Sequence, residues 1–275
     1  MRSSLQELIS ILDIEMLEEN LYRGNHPVDK KGRLYGGQIM AQALIAAGRT
    51  VPDDRPPHSL HGYFLRPGDA KIPVVFSVDR IRDGRSFTTR RIAAIQHGKA
   101  IFSMDVSFQL VEAGLSHQVV MPNFEPPEDH RITDNMLNDS FVTYMMEYKQ
   151  RLKEVPMPAK QHCWFRTNGD VDQAQTQGSD ALLHAALLTY QSDDALLSTA
   201  RLPHRGNFKR EEMQSASLDH AMWFHQPARA DQWIMYALDA PESSAARGYN
   251  RGSMFTVDGS LIASTMQESL MRLLR

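Results

Sequence analysis

Apolar positions between Ala181 and Leu197 recur at helical spacing. Leu182, Ala186, Tyr190 and Leu197 form a stripe that Leu183 and Leu187 widen. The pattern predicts one helix over residues 181–197. Acid interrupts it, because Asp193 and Asp194 fall three and four residues after Tyr190. A carboxylate held against apolar surroundings loses hydration, its pKa rises, and it becomes able to act as a general base. Helix geometry does not choose between the two acids. It also leaves open the plainer reading in which an acid points past the stripe's edge to water.

The rest of the chain divides into two similar runs. Residues 4–12 predict a short helix opened by Ser3-Ser4-Leu5-Gln6, and residues 19–24 a strand. Past the polar connection 26–33, Tyr35-Gly36-Gly37-Gln38 opens a second helix through Ile39, Ala43, Ala46 and Ala47, which runs to Thr50 ahead of Pro52. Four strand patterns follow at 58–66, 72–82, 86–97 and 100–110. Pro67-Gly68-Asp69, Asp83-Gly84 and His97-Gly98-Lys99 separate them as turns. The proline-bounded stretch 122–158 reads as a linker holding a helix over 136–152. The order then returns: a strand at 161–167, the helix at 181–197, and strands at 214–225, 233–240, 245–257 and 261–271.

Two anchors align the runs. Tyr63-Phe64-Leu65-Arg66-Pro67 matches Trp223-Phe224-His225-Gln226-Pro227, and His97-Gly98-Lys99 matches Asp258-Gly259-Ser260. Both give an offset of about 160 residues, the period of a duplicated domain rather than of a solenoid. In each run a lone helix must bury its apolar face against the sheet formed by the strands. The expected fold is therefore α+β: a double hotdog of two tandem repeats, each an antiparallel sheet wrapped around one central helix. Residues 1–121 form the N-terminal repeat, 122–158 the linker, and 159–275 the C-terminal repeat that carries the active site. Edge-to-edge pairing of the two sheets would remove two exposed edges.

Composition narrows the function. A net charge of -3 indicates neither a nucleic-acid footprint nor a polybasic membrane anchor, so no nucleic-acid or membrane partner is expected. The single cysteine, Cys163, excludes an internal disulfide framework and suits a reducing compartment, and it reads as inert rather than nucleophilic. No Cys/His array has zinc spacing, so no metal or cofactor is expected. No apolar run reaches the roughly 20 residues of a membrane span. Neither a signal peptide at the start nor a peroxisomal address at the terminal Leu-Leu-Arg is evident, which makes the cytoplasm the expected location.

The repeats differ where chemistry would sit. The first helix carries no acid, and Val106 of the first repeat corresponds to Gln267 of the second. A polar residue replacing an apolar one at equivalent core positions points to the second repeat as the active one. Gly36-Gly37-Gln38 opens a helix with free N–H groups suited to a phosphate or an oxyanion, although a plain turn fits as well. His220 and His225 are five apart on a strand, so they face opposite sides and cannot share a metal. His58 and His61 fail the same test, and His58 reads as structural. No Gly-x-Ser-x-Gly elbow supports a serine hydrolase. The loop 201–210 holds Arg201, His204, Arg205, Lys209 and Arg210, and reads equally as a phosphate contact or a solvated basic loop.

With these residues in view, the chain resembles the acyl-CoA thioesterase II family of double-hotdog enzymes. The first repeat carries Tyr35-Gly-Gly-Gln38, His58-Ser-Leu-His-Gly-Tyr-Phe-Leu-Arg-Pro-Gly-Asp69 and Arg82-Asp-Gly-Arg-Ser-Phe87. The second carries Tyr190-Gln-Ser-Asp193, Leu218-Asp-His-Ala-Met-Trp-Phe-His225, Ser244-Ala-Ala-Arg-Gly248 and Ala263-Ser-Thr-Met-Gln-Glu268. The resemblance implies hydrolysis of acyl-CoA to fatty acid and CoA. It places the family's Asp, hydroxyl and Gln on Asp193, Ser217 and Gln267, with Ser217 standing where the family often has Thr. Asp193 would take a proton from a water held by the other two. Gly37 and Gln38 are the substrate-binding candidates, with the Gly37 helix start as oxyanion donor, reached across the repeat interface or from a neighbouring subunit. By analogy with other hotdog proteins a homodimer or homotetramer is expected. Two alternatives remain. A hotdog enoyl-CoA hydratase would place His five residues after the acid, where this chain has Ser198. A non-catalytic acyl-CoA sensor would not need the Asp/Ser/Gln set.

Overall fold

The computed structural model describes residues 4–26, 32–128, 140–146, 153, 155–171 and 178–274. The first half begins with α1 (Leu5–Leu12), capped where expected, with Ser4 Oγ accepting from Glu7 N at 3.2 Å. The hairpin β1 (Glu15–Glu18) and β2 (Leu21–Gly24) follows. The strand expected over 19–24 is interrupted at its start by a left-handed turn at Asn20, and β1 was not anticipated. Helix α2 (Gly36–Gly48) then precedes β3 (Pro57–Phe64), β4 (Val74–Asp83), β5 (Phe87–Gln96) and β6 (Lys99–Gln109).

The stretch 122–158 is more than a linker. Phe141–Met145 is β7, paired with β8 (Lys160–Thr167), so the helix expected over 136–152 is absent where those residues are described. Phe141-Val142-Thr143-Tyr144 is a β-branched and aromatic run that suits a strand. Met121 and Phe124 also pack on a small apolar cluster of Trp164, Met235 and Phe255.

In the second half α3 (Asp180–Ser192) ends five residues earlier than its stripe predicts. A separate one-turn helix α4 (Leu196–Thr199) begins after Ala195, which is left-handed at φ 66°. Gln191-Ser192-Asp193-Asp194 is the cause. Ser and Asp favour side-chain bonds to backbone over helix propagation, and Ser192 Oγ donates to Thr189 O at 2.8 Å. The strand expected over 214–225 is broken into β9 (Met213–Ser217) and β10 (Asp219–Phe224). β11 (Ile234–Ser244), β12 (Arg247–Thr256) and β13 (Leu261–Leu273) complete the chain.

The strands form one sheet in the order β1-β2-β4-β5-β6-β3-β10-β13-β12-β11-β8-β7, with β9 added on β13. Its two halves meet where β3 and β10 run antiparallel, and His61 stands opposite Ala221. That pair is separated by the same offset of about 160 that the sequence anchors give, so the pseudo-twofold axis passes between them. Each half-sheet wraps its helix, which is the double hotdog. Residues 37–47 of α2 are all buried, the apolar ones in the core and Gln42 bonded to the Ile11 and Asn25 carbonyls. The helices also pack on each other, which brings the start of α2 to the end of α3.

Candidate active site

Asp193 is the C-cap of α3, one residue beyond the helix, rather than a member of its stripe. Its carboxylate is met from three other elements. Gly37 N, in the first turn of α2, donates to Oδ2 at 3.1 Å. Gln267 Nε2 on β13 donates to Oδ1 at 2.7 Å, and Ser217 Oγ at the end of β9 reaches the same oxygen at 3.5 Å. The structure thus brings Asp193, Ser217, Gln267 and Gly37 to one place. Asp194 is exposed and stands apart from these contacts.

Charge and burial compete at Asp193. The residue keeps some accessible surface, but its carboxylate is enclosed by protein, and desolvation raises its pKa. The bonds from Gln267, Gly37 and Ser217 pull it down, and the neighbouring Asp194 charge pushes it up. The end of its own helix disfavours the anion, whereas the start of α2 favours it.

Glycine is required for that approach. A Cβ on Gly37 would stand 2.2 Å from Tyr190 O and 2.6 Å from the Tyr35 ring. Tyr35 OH donates to the same Tyr190 carbonyl at 2.9 Å and ties the two helix ends together. Because the Gly37 N–H serves Asp193, in this arrangement it anchors the acid; the oxyanion role expected of it is not what the geometry shows. The contact nonetheless crosses between the halves, from the start of α2 to the end of α3. The Gln38 side chain turns elsewhere, with Nε2 2.8 Å from His26 Nδ1 and 3.3 Å from Asn25 O.

The break between β9 and β10 has a geometric consequence. Ser217 pairs with Ser269 and Ala221 with Met266, so four steps on this side face three on β13. This bulge shifts the alternation by one. Ser217 and His220, three apart, consequently both turn to the helix side. Asp219 holds the bulge, its Oδ1 accepting from Glu268 N at 2.6 Å. His220 is buried, and burial lowers its pKa to about 3. His225 lies on the other face against Ser264, as alternation predicts. His58 bonds Ser107 Oγ at 2.8 Å, and Cys163 is buried. The basic loop lines a cavity of about 870 Å³ in which Arg201, Arg205 and Lys209 stand with Glu211 and Glu212, a mixed-sign surface whose lining does not include Asp193.

The corresponding place in the first half holds no acid. Arg49 caps α2 as Asp193 caps α3. Val106 pairs with Arg90 as Gln267 pairs with Asn250. The buried Arg90 guanidinium bonds Thr50 Oγ1 at 2.8 Å and Asp83 at 2.5 Å.

The chain matches the acyl-CoA thioesterase family model over residues 132–270 and the acyl-CoA thioesterase N-terminal domain model over residues 25–109. It is 40% identical to acyl-coenzyme A thioesterase 8 of Mus musculus, over 96% of this chain and 88% of that one. It is 35% identical to acyl-CoA thioesterase 2 of Haemophilus influenzae, over 99% of each chain. The crystal structure of acyl-CoA thioesterase II TesB2 from Mycobacterium marinum superimposes with a TM-score of 0.82 at 41% identity, over 97% of each chain. An acid desolvated between two helix ends, with an amide and a hydroxyl on its oxygen, thus lies within a chain that belongs to the acyl-CoA thioesterase family, hydrolases of the thioester bond.

Proposed function

We propose that this chain hydrolyses medium- to long-chain fatty acyl-CoA to free fatty acid and CoA, with Asp193 as general base. The supporting observation is that Gln267, Ser217 and Gly37 converge on this single carboxylate from β13, β9 and α2. A water beside Asp193 would give its proton to the carboxylate as its oxygen attacks the thioester carbonyl. Ser217 and the Gln267 amide would hold that water in line. Gln267 Oε1 is buried with no protein partner among the described residues, so it is free to accept the water's second hydrogen. The tetrahedral intermediate collapses by releasing the CoA thiolate, a good leaving group with a thiol pKa of about 8.5, so acid assistance matters less than for an amide. Gly37, at the start of α2, would border the thioester's approach, whereas the Gln38 side chain, buried and turned to His26, would not contact the substrate. We place the enzyme in the cytoplasm, as a homodimer or homotetramer.

No His follows Asp193 by five residues. His220 stands behind Gln267 rather than on the acid, which disfavours the hydratase reading. A thiol-trapping dye with palmitoyl-CoA and octanoyl-CoA, without added metal, tests the proposal. Release should be robust in the wild type and fall by about 10³-fold or more in Asp193→Ala, the scale of losing a general base. Wild-type rates in that variant would reject the assignment.

A further inference from the structure

His220 takes no part in the mechanism above, yet it is 1% exposed and bonded on both nitrogens within the site. Its Nδ1 is 3.2 Å from Gln267 Nε2, and its Nε2 is 2.9 Å from Ser192 Oγ. Ser192 Oγ donates to Thr189 O, so its hydrogen is already committed and its oxygen must accept from His220. That fixes the tautomer: Nε2 carries the hydrogen and Nδ1 is an acceptor. Gln267 Nε2 therefore has two acceptors, Asp193 Oδ1 and His220 Nδ1, and its two hydrogens serve them.

A glutamine amide can turn end for end at almost no steric cost, so only hydrogen bonding selects its orientation. At Gln267 the choice decides the chemistry. In the observed orientation the NH2 faces the base, and Oε1 stays available. Turned over, the carbonyl would face the Asp193 carboxylate, and the water would lose its acceptor. The first half supplies a control. By the repeat offset the counterpart of His220 is Leu60 and that of Gln267 is Val106, both fully buried and aliphatic. The fold thus fills the position with leucine where no glutamine needs orienting.

We infer that His220 is a positioning residue, which locks the Gln267 amide so that its NH2 faces Asp193 and its carbonyl faces the attacking water. The inference rests on the proposed hydrolytic role of Asp193 and Gln267. It assigns to a buried histidine a task that packing alone does not require.

A double-mutant cycle on the full chain tests it, with kcat and KM read by thiol release from palmitoyl-CoA. His220→Leu, the residue of the equivalent position, should lower kcat by about tenfold to a hundredfold with little change in KM, the scale of a misplaced reacting group. In a Gln267→Ala background the same replacement should change kcat less than about twofold. His220→Asn, whose Oδ1 can accept where Nδ1 does, should recover most of the rate. The acid limb of kcat/KM gives a separate reading. Gln267 lowers the Asp193 pKa, against the upward pull of burial and of the Asp194 charge, and the neutral phenols Tyr35 and Tyr236 also stand nearby. Releasing the amide should move that limb to higher pH in His220→Leu and not in His220→Asn.

Equal losses from His220→Leu in both backgrounds, or an unmoved limb, would mean that the histidine only packs. Should His220→Leu fail to fold, ¹H–¹⁵N correlation of the histidine-labelled wild type decides, because a hydrogen on Nδ1 of His220 overturns the scheme. An inactive wild type would remove the proposed function itself. An active wild type with an additive cycle removes this inference alone.

Discussion

Gly37→Ala isolates the contact between the two helix ends. The added Cβ would lie 2.2 Å from the Tyr190 carbonyl oxygen, which is backbone and cannot rotate away. Opening that contact to 3.0 Å, the lower limit of real Cβ contacts, separates the helix ends by about 0.8 Å. The 3.1 Å bond from Gly37 N to Asp193 Oδ2 then stretches to about 3.9 Å and is lost. Overpacking of this kind costs about 1–3 kcal/mol. Thermal unfolding should therefore fall by roughly 2–5 °C. The effect on turnover is larger, because displacing a reacting group by about 1 Å costs on the order of 10²-fold. Loss of the Gly37 donor also raises the Asp193 pKa further, so the acid limb of kcat/KM moves to higher pH. Gly114→Ala serves as control, since nothing lies within 4 Å of its Cβ. A differential-scanning trace and a thiol-release assay on both variants complete the experiment. Wild-type kcat and melting temperature in Gly37→Ala would refute the claim that the first half delivers a donor to the acid of the second.

Three further outcomes follow from the same geometry. Ser217→Thr keeps the hydroxyl and adds a stiffening methyl, so it should retain at least wild-type kcat, whereas Ser217→Ala should lose about 10-fold or more; equal rates in both remove the hydroxyl from the mechanism. The acid limb of kcat/KM should stand above the ordinary carboxylate range, because burial outweighs the three donors at Asp193, and His220, held near 3, should add no limb around neutrality. Ala245 and Ala246 form the β11–β12 turn at φ 48° and 59°, a conformation costly for residues with a Cβ, so Ala246→Gly should stabilise the fold by about 1 kcal/mol in chemical denaturation without changing kcat.

Most of the sheet was legible because half-buried antiparallel strands alternate and their turns carry glycine or proline. The repeat was legible because two anchors kept one spacing through both halves. What escaped depends on pairing partners distant in sequence. β7 exists only because β8 offers an edge to Phe141–Met145. The bulge beside Leu218 is visible only against β13, and without it Ser217 and His220 would face opposite sides. The end of α3 was misplaced because Leu196 and Leu197 continue the apolar period after the backbone has left the helix at Asp193. His220 was within reach of the reasoning that singled out Gln267. Both are polar where the first half is aliphatic, with Leu60 opposite His220 in the repeat as Val106 is opposite Gln267.

The candidate site belongs to neither half alone, because Gly37 of the first half and Ser217 and Gln267 of the second meet at Asp193. Twofold symmetry places a helix start beside a helix end twice. At one meeting point α2 offers Gly36 and Gly37, which permit the approach, and α3 ends in an acid. At the other, α3 begins with Asp180 and a Ser179 cap that already takes the Leu182 N–H, while α2 ends in Arg49. An acid at that second helix end would lack a glycine start to bond it. It would also face Val106 instead of an amide, with the buried Arg90 guanidinium across the pair. Building an equivalent arrangement there would require changing the helix start, the helix end and both strand positions together. Arg49 and Arg90 instead serve the fold there, bonded to Asp13 and to Thr50 and Asp83.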